Sequence, residues 1–426
     1  MSITNGFSAI GKQTLLPPTF LGRVGRSSAS LLLARLVTQV QLALFTVLAA
    51  RRLGEAGFGQ YAFIASVIFI GNVITTFGTD TLLIREIART RATDILTSAF
   101  WIQVVLSALF IGGAFVWTGY LPNKMTETLV GLKLYSLSLV PLAFFSIYSA
   151  VLRAYERMDL YLVVNLFSAL LQVGGAWLIL KVTSGLLPLL LLLLVVQACI
   201  AMLSGVLCHR CIPNFSFRWR VSWSRAIEVL RAAWPLALVS ILSIIYQRMG
   251  TLMVSFLGGD ALTGWFSAGW RVLDAARIAH LAVLGTLLPV LSSVSHDDHG
   301  KAQSIFRRSV ILLMVLAVAL AVMVARLAAP LVLLLFGANY APTSAALQVL
   351  SFSLIPYTLT ASFSLRLVVQ RQERRVLLVT AVSLAATVAL YRWLIPVWGL
   401  IGAGLAAVAG ECFQALAFLL LERANE

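Results

Sequence analysis

Charge is what this chain lacks most. Asp, Glu, Lys and Arg make up 11% of its 426 residues, against about a quarter in a soluble globular chain. Acid is scarcer than base: 16 Asp and Glu face 32 Lys and Arg, for a net charge of +16. Long polar stretches are missing as well. Apolar residues fill 60% of the chain, mean hydropathy is +0.95, and the bias runs from Ser28 to Leu421. Twelve membrane-crossing helices of ~21 residues would use ~252 residues, or ~59% of the chain. The rest averages ~13 residues per loop or tail, below the roughly 50 residues of the smallest folded domains. A separate soluble catalytic domain is therefore excluded. So is nucleic-acid binding as the meaning of a pI near 10.4, because no soluble basic domain is there to hold a groove.

Chemical motifs are equally sparse. The four cysteines form no disulfide framework, since Cys199 and Cys412 lie inside apolar runs. Cys208-His209-Arg210-Cys211 has zinc-like spacing, but no second pair completes it. His296-Asp297-Asp298-His299 reads as a solvated turn. Gly402-x-Gly404 lacks the strand–turn–helix setting of a nucleotide fingerprint and reads as helix packing. With no P-loop or triad spacing either, no cofactor, no metal and no enzymatic activity are expected. The first 27 residues lack the apolar core of a cleaved signal peptide, so the first helix is expected to stay as an anchor.

What is present is an all-α membrane protein pattern: twelve apolar segments between Ser28 and Leu421. The ninth, Val310–Ala325, is interrupted by Arg326 and Pro330, and the stretch to Phe336 is left open as interfacial or re-entrant. Loop charge tests the count. With the N-terminus inside, 21 Lys and Arg fall in inner loops and tails. Seven fall outside: Arg51, Arg52, Lys124, Lys133, Lys181, Arg326 and Arg392. That threefold bias in short loops is the positive-inside pattern and places both termini in the cytoplasm. Trp117, Trp265 and Trp398 near outer ends, with Trp219, Trp223 and Trp234 near inner ends, fit interfacial belts.

The longest inner connection, 209–231, is basic and aromatic and falls halfway. It divides a tail (1–27) and a six-helix bundle (28–208) from a second bundle (232–421) and a short tail (422–426). Leu53-Gly54 followed by Gly59, Gln60 and Tyr61 is echoed by Leu257-Gly258 followed by Gly264, Trp265 and Phe266. The echo predicts a parallel repeat about an axis along the membrane normal.

Seven residues deep in the apolar segments are the candidates for chemistry: Arg35, Arg248, Arg271, Asp274, Arg277, His280 and Glu411. A charge at a helix centre costs roughly 2.5–3.5 kcal/mol and marks function by default. Arg271, Asp274 and Arg277 stand at i, i+3 and i+6, so Asp274 can pair with either arginine. Four arginines against two carboxylates leave a positive surplus that needs an anionic ligand or water. Arginine suits phosphate, because its planar fork binds oxygens in pairs and stays ionised. Arg35, Arg248, Arg271 and Arg277 are thus the candidate substrate-binding residues of a cation-lined cavity.

Several stretches resemble polysaccharide-biosynthesis membrane proteins of the O-antigen flippase type, within the multidrug/oligosaccharidyl-lipid/polysaccharide exporter superfamily. They are Arg52 to Tyr61, Phe77-Gly78-Thr79-Asp80, Leu83 to Arg89, Leu152 to Met158, Leu335 to Tyr340 and Pro396 to Ala403. The resemblance implies two six-helix bundles around a central cavity. It implies transport of an undecaprenyl-diphosphate-linked oligosaccharide from the cytoplasmic to the periplasmic leaflet of the bacterial inner membrane. H⁺ or Na⁺ coupling is implied, for which Asp274, Glu411 and His280 are the suited buried groups. The implied partners are the lipid-linked oligosaccharide, membrane lipids and a polysaccharide polymerase complex. A drug/cation antiporter of the same fold or a non-transporting scaffold of an assembly complex are the competing readings.

Overall fold

A computed structural model describes residues 18–90, 94–121, 124–183, 185–212, 223–294, 299–369 and 372–423. Those residues are helical, with no strand among them. In chain order the α-helices are α1 (Pro18–Thr76), α2 (Thr79–Thr90), α3 (Asp94–Trp117), α4 (Thr126–Ser136), α5 (Leu139–Ala154), α6 (Met158–Ala169) and α7 (Gly175–Val182). They continue as α8 (Leu186–Cys211), α9 (Trp223–Leu257), α10 (Gly259–Val294), α11 (His299–Phe336), α12 (Thr343–Ser351), α13 (Leu354–Val369) and α14 (Glu373–Arg423).

Eight helical stretches are long and apolar enough to cross a membrane, and nine if the pair α12–α13, bent by 45°, is one crossing. Two of these hold two crossings each, because α1 breaks at Gly54 and α14 at Gly399. With α10 added, the described elements are consistent with twelve. In lipid a helix is favoured because it satisfies every backbone group internally. The breaks fall at glycine because the chain must reverse through a left-handed residue, φ +70° at Gly54 and +56° at Gly399.

The ninth segment is one continuous helix, long and apolar enough to cross a membrane over Arg307–Phe336. α11 runs unbroken through Arg326 and Pro330 to Phe336, and the longer helix spans more than the expected Val310–Ala325. A proline removes one backbone donor, which a long packed helix tolerates, and Ala328 and Val332 flanking it are buried.

Two bundles form, and at one end of the molecule their turns meet in a close seam. Gly54 opens one turn at φ +70°, and Gly259 opens its counterpart at φ +79°. Five residues on, Gly59 lies so close to Asp260 that a Cβ would sit 1.8 Å from its carbonyl oxygen. Gly264, five residues past Gly259, would meet the carbonyl oxygen of Glu55 at 1.9 Å. The contact is reciprocal: the fifth residue of each turn touches the first residue of the other. A parallel repeat with a two-fold axis through the seam produces that pattern. It also corrects the register of the sequence echo, since Gly54 matches Gly259 and not Gly258.

The loops assigned outside by charge do meet at this end. Arg51 donates from Nε to the Leu335 carbonyl at 2.7 Å and from Nη2 to that of Leu334. Tyr340 Oη donates to the carbonyls of Ala50 and Gly54, each at 3.0 Å. At the opposite end Arg157 holds Asp159 with two bonds of 3.1 Å and reaches the Cys211 carbonyl at 3.3 Å. There α9 packs on the first bundle through Ala226 and Val229 against Ile102, Leu82 and Ile95. The expected basic linker falls largely on residues 213–222, outside the described residues.

Candidate functional site

Directly beneath the seam lies a small, partly open pocket between the bundles, of about 20 Å³. The second crossing of α1 supplies Phe58, Tyr61, Ala62, Ala65 and Ser66. Arg248 and Thr251 come from α9, and Ser267, Trp270 and Arg271 from α10. In the register set by Gly54 and Gly259, Ala62 pairs with Ser267, Ala65 with Trp270 and Ser66 with Arg271. The axis of the repeat therefore passes through the cavity. The two walls differ in charge: the α1 wall carries none, and both guanidiniums stand on the wall of α9 and α10.

Arg248 is held over the Phe69 ring, 4.5 Å from its centroid, and its buried Nε has no hydrogen-bond partner. A buried donor without an acceptor costs about 1–3 kcal/mol, which an anion or water would recover. Arg271 faces Asp274 at 3.7 Å, beyond hydrogen-bond length. Two guanidiniums and one carboxylate leave the site with a positive surplus. Tyr61, Thr251 and Ser267 line the same space and carry neutral hydroxyls, that of Ser267 buried without a hydrogen-bond partner, whereas Ser66 Oγ donates to the Ala62 carbonyl at 2.7 Å.

The other expected site residues lie apart. Arg277 Nη2 pairs with Glu411 Oε1 at 3.4 Å, both side chains 9% exposed. Its guanidinium also covers the rings of Tyr357 at 4.2 Å and Trp270 at 4.9 Å. Arg277 is thus engaged within the second bundle and does not line the cavity. Of the two arginines open to Asp274 in the sequence, Arg271 is the one it takes.

Arg35 does not join Arg248 and Arg271. It stands 19 residues before Gly54, about 28 Å along the helix, while Arg248 and Arg271 are about 17 and 18 Å from their own turn at Gly259. On α1 the exposed residues Leu33, Leu36, Val40 and Leu44 form one apolar stripe. Arg35 and Gln39 are exposed about 120° away from it, as a residue facing water and not lipid would be. His280 is on α10, but its side chain falls outside the described residues. Among the residues searched, no cluster of His, Cys, Asp and Glu could hold a metal ion.

Comparison with known proteins agrees with this architecture. The model of a family described as polysaccharide biosynthesis protein matches residues 47–345. No curated protein matches in sequence. A multidrug resistance MATE family transporter of the MOP superfamily, in its inward-facing conformation, superimposes with a TM-score of 0.75 at 13% identity, over 93% of this chain and 98% of that one. The lipid II flippase MurJ in an inward closed conformation gives 0.73 at 15% identity, over 93% and 87%. An outward-facing MATE transporter gives 0.64 at 13% identity, over 95% of each chain. A seam of paired turns over a pocket shared by two helical bundles accompanies a family model that covers most of the chain, and the protein belongs to the polysaccharide biosynthesis protein family.

Proposed function

We propose that the protein is a flippase for undecaprenyl-diphosphate-linked oligosaccharide, carrying it from the cytoplasmic to the periplasmic leaflet of the bacterial inner membrane by alternating access. The observation that carries this reading is the cavity itself, where Arg248 and Arg271 outnumber Asp274 on the axis between the bundles. The diphosphate takes the guanidiniums, the sugar occupies the polar space between the bundles, and the polyprenyl tail stays in lipid. Arg35, on an exposed face deeper toward the opposite end, meets the headgroup on its way in. The repeat unit belongs to O-antigen, capsule or exopolysaccharide, and the flippase works beside a polymerase complex. A drug/cation antiporter would want a carboxylate-rich cavity, and this one is cationic. The deciding experiment is reconstitution in vesicles with a labelled undecaprenyl-diphosphate sugar. Movement between leaflets supports the flippase; movement of organic cations with none of the lipid removes it.

Both termini and the linker at 209–231 are assigned to the cytoplasm. Reporters fused after Arg157, Arg220 and Gln372 are expected to read cytoplasm, and those after Gly54, Gly259 and Asn339 periplasm. Two fusions on the wrong side in a functional protein would overturn the orientation.

Ion coupling centres on Glu411. Its Oε2 is buried without a hydrogen-bond partner, as is Nε of Arg277. An anion that drew Arg277 away would leave Glu411 ready to take H⁺ or Na⁺, with Asp274 and His280, both on α10, as further candidates. Removing one partner of a buried pair costs about 3–5 kcal/mol, whereas replacing both with apolar residues is often neutral. Glu411→Gln is thus expected to lower stability, and Arg277→Leu with Glu411→Leu to restore it. If the pair couples transport, the restored double variant still lacks ion-driven flipping. Full pH- and Na⁺-dependent flipping in the double variant would leave the pair a packing device.

A further inference from the structure

Lys124 is a charged residue in an unusual place for a loop assigned to the outer surface. Its side chain is 5% exposed. Nζ donates to Ser255 Oγ at 2.6 Å and to the Ser255 carbonyl at 2.7 Å. It also meets Asp260 Oδ1 at 3.1 Å and lies 4.8 Å over the Phe63 ring. All three oxygens belong to the other bundle. The second oxygen of Asp260 accepts from Gln60 Nε2 at 3.1 Å. One carboxylate of the second bundle thus receives two side chains of the first, beside the Gly59–Gly264 seam.

We propose that Lys124 and Asp260, with Gln60 and Ser255, form the gate that closes the outer end of the cavity and releases it once in each transport cycle. The gate rests on the reading of the chain as an alternating-access transporter, though on no particular substrate. Energetics favour a gate over a permanent fastening. Burying a lysine and an aspartate costs several kcal/mol per ion, offset here by paired charge and hydrogen bonds. When the bundles part, both groups return to water and the cost is recovered. The closed and open forms therefore differ by little, which a reversible element requires. Position links the gate to the cavity. Ser255 lies seven residues from Arg248 on α9, and Asp260 eleven from Arg271 on α10, so each pair shares a helix face. A headgroup lodged against both arginines bears on the two helices that carry the acceptors of Lys124.

The test is accessibility of the cavity from the side bearing Lys124. The four cysteines are free. In a background with Cys199, Cys208, Cys211 and Cys412 replaced by serine, Ser267→Cys places one thiol in the cavity. A membrane-impermeant maleimide added on that side is expected to label it slowly. Lys124→Ala and Asp260→Asn are each expected to raise the rate about tenfold or more, the effect of losing a hydrogen bond to a charged group. Ser344→Ala, at an exposed site on the same end, is expected to leave it unchanged. Should Lys124→Ala fail to insert, Asp260→Asn decides, because it keeps the side-chain volume. Unchanged labelling in the inserted variants overturns the gate. Faster labelling in a protein that moves no lipid-linked sugar keeps the gate and removes the flippase.

Discussion

Gly264→Ala is expected to shift the protein toward the form open at the outer end, by about 5- to 150-fold in the ratio of open to closed. The added methyl would stand 1.9 Å from the carbonyl oxygen of Glu55 and 2.8 Å from its carbon. Those atoms are backbone, so no side-chain rotation relieves the clash. The helices must separate, at a cost of the order of 1–3 kcal/mol for overpacking, and the population ratio follows from that figure. The seam exists only where the bundles meet, so the cost falls on the closed form and leaves folding of each bundle intact. Gly59→Ala is expected to act alike, because its methyl would meet the Asp260 carbonyl at 1.8 Å. Gly112→Ala and Gly113→Ala are the controls, since nothing lies within 4 Å of the added carbon. Cavity labelling from the outer side and the flipping rate measure the effect. Transport should slow at both seam positions, because a cycle that cannot close one gate cannot return. Wild-type labelling and flipping in Gly59→Ala and Gly264→Ala together would show that the seam is not required.

Much of the architecture was legible in the sequence because lipid imposes a simple code. Apolar runs and short basic loops carry span and orientation with little help from tertiary contacts. Arg51, Lys124, Asp260 and Tyr340 meet at one end, so the turns that carry them share one side, whereas Arg326 lies within α11 and not in a loop. The echo between Gly54 and Gly258 was visible yet one residue out of register. Gly258 and Gly259 are adjacent, and only the backbone angle tells which of them turns the chain. The site was legible in part. Arg248 and Arg271 stand out as charges in apolar helices, but which arginine finds a carboxylate depends on packing between α10 and α14. Sequence distance links Arg271, Asp274 and Arg277 on one helix, and nothing local announces that Glu411, 134 residues beyond Arg277, completes the second pair. Tyr61, Ser66, Ser267 and Trp270 carry no signal of charge. The repeat register exposes them once the turns are matched. Lys124 looked like an ordinary outer-loop cation, since a sequence shows charge and not burial.

Arg248→Ala is expected to weaken binding of the lipid diphosphate about 10- to 150-fold while leaving insertion and folding unchanged. A hydrogen bond to a charged group contributes about 1.5–3 kcal/mol, which converts to that range. The expectation of an intact fold follows from the surroundings of Arg248. Its guanidinium rests on Phe69 and its Nε is unpartnered, so its removal strands no buried carboxylate. Arg271→Ala differs, because it leaves Asp274 facing the ligand without the cation 3.7 Å away. Its loss should exceed that of Arg248→Ala, and Arg271→Ala with Asp274→Asn should recover part of it by removing the repulsion. Arg248→Lys should restore part of the affinity, since a point charge replaces a planar fork. Arg35→Ala provides the contrast. At about 10 Å deeper along the helices, Arg35 cannot share one diphosphate with Arg248, so its loss should slow entry more than it weakens binding. Titration of purified protein with undecaprenyl diphosphate reads all five variants. Unchanged affinity in Arg248→Ala and Arg271→Ala, with a large loss in Arg35→Ala, would move the anion site out of the cavity and toward the opposite end of α1.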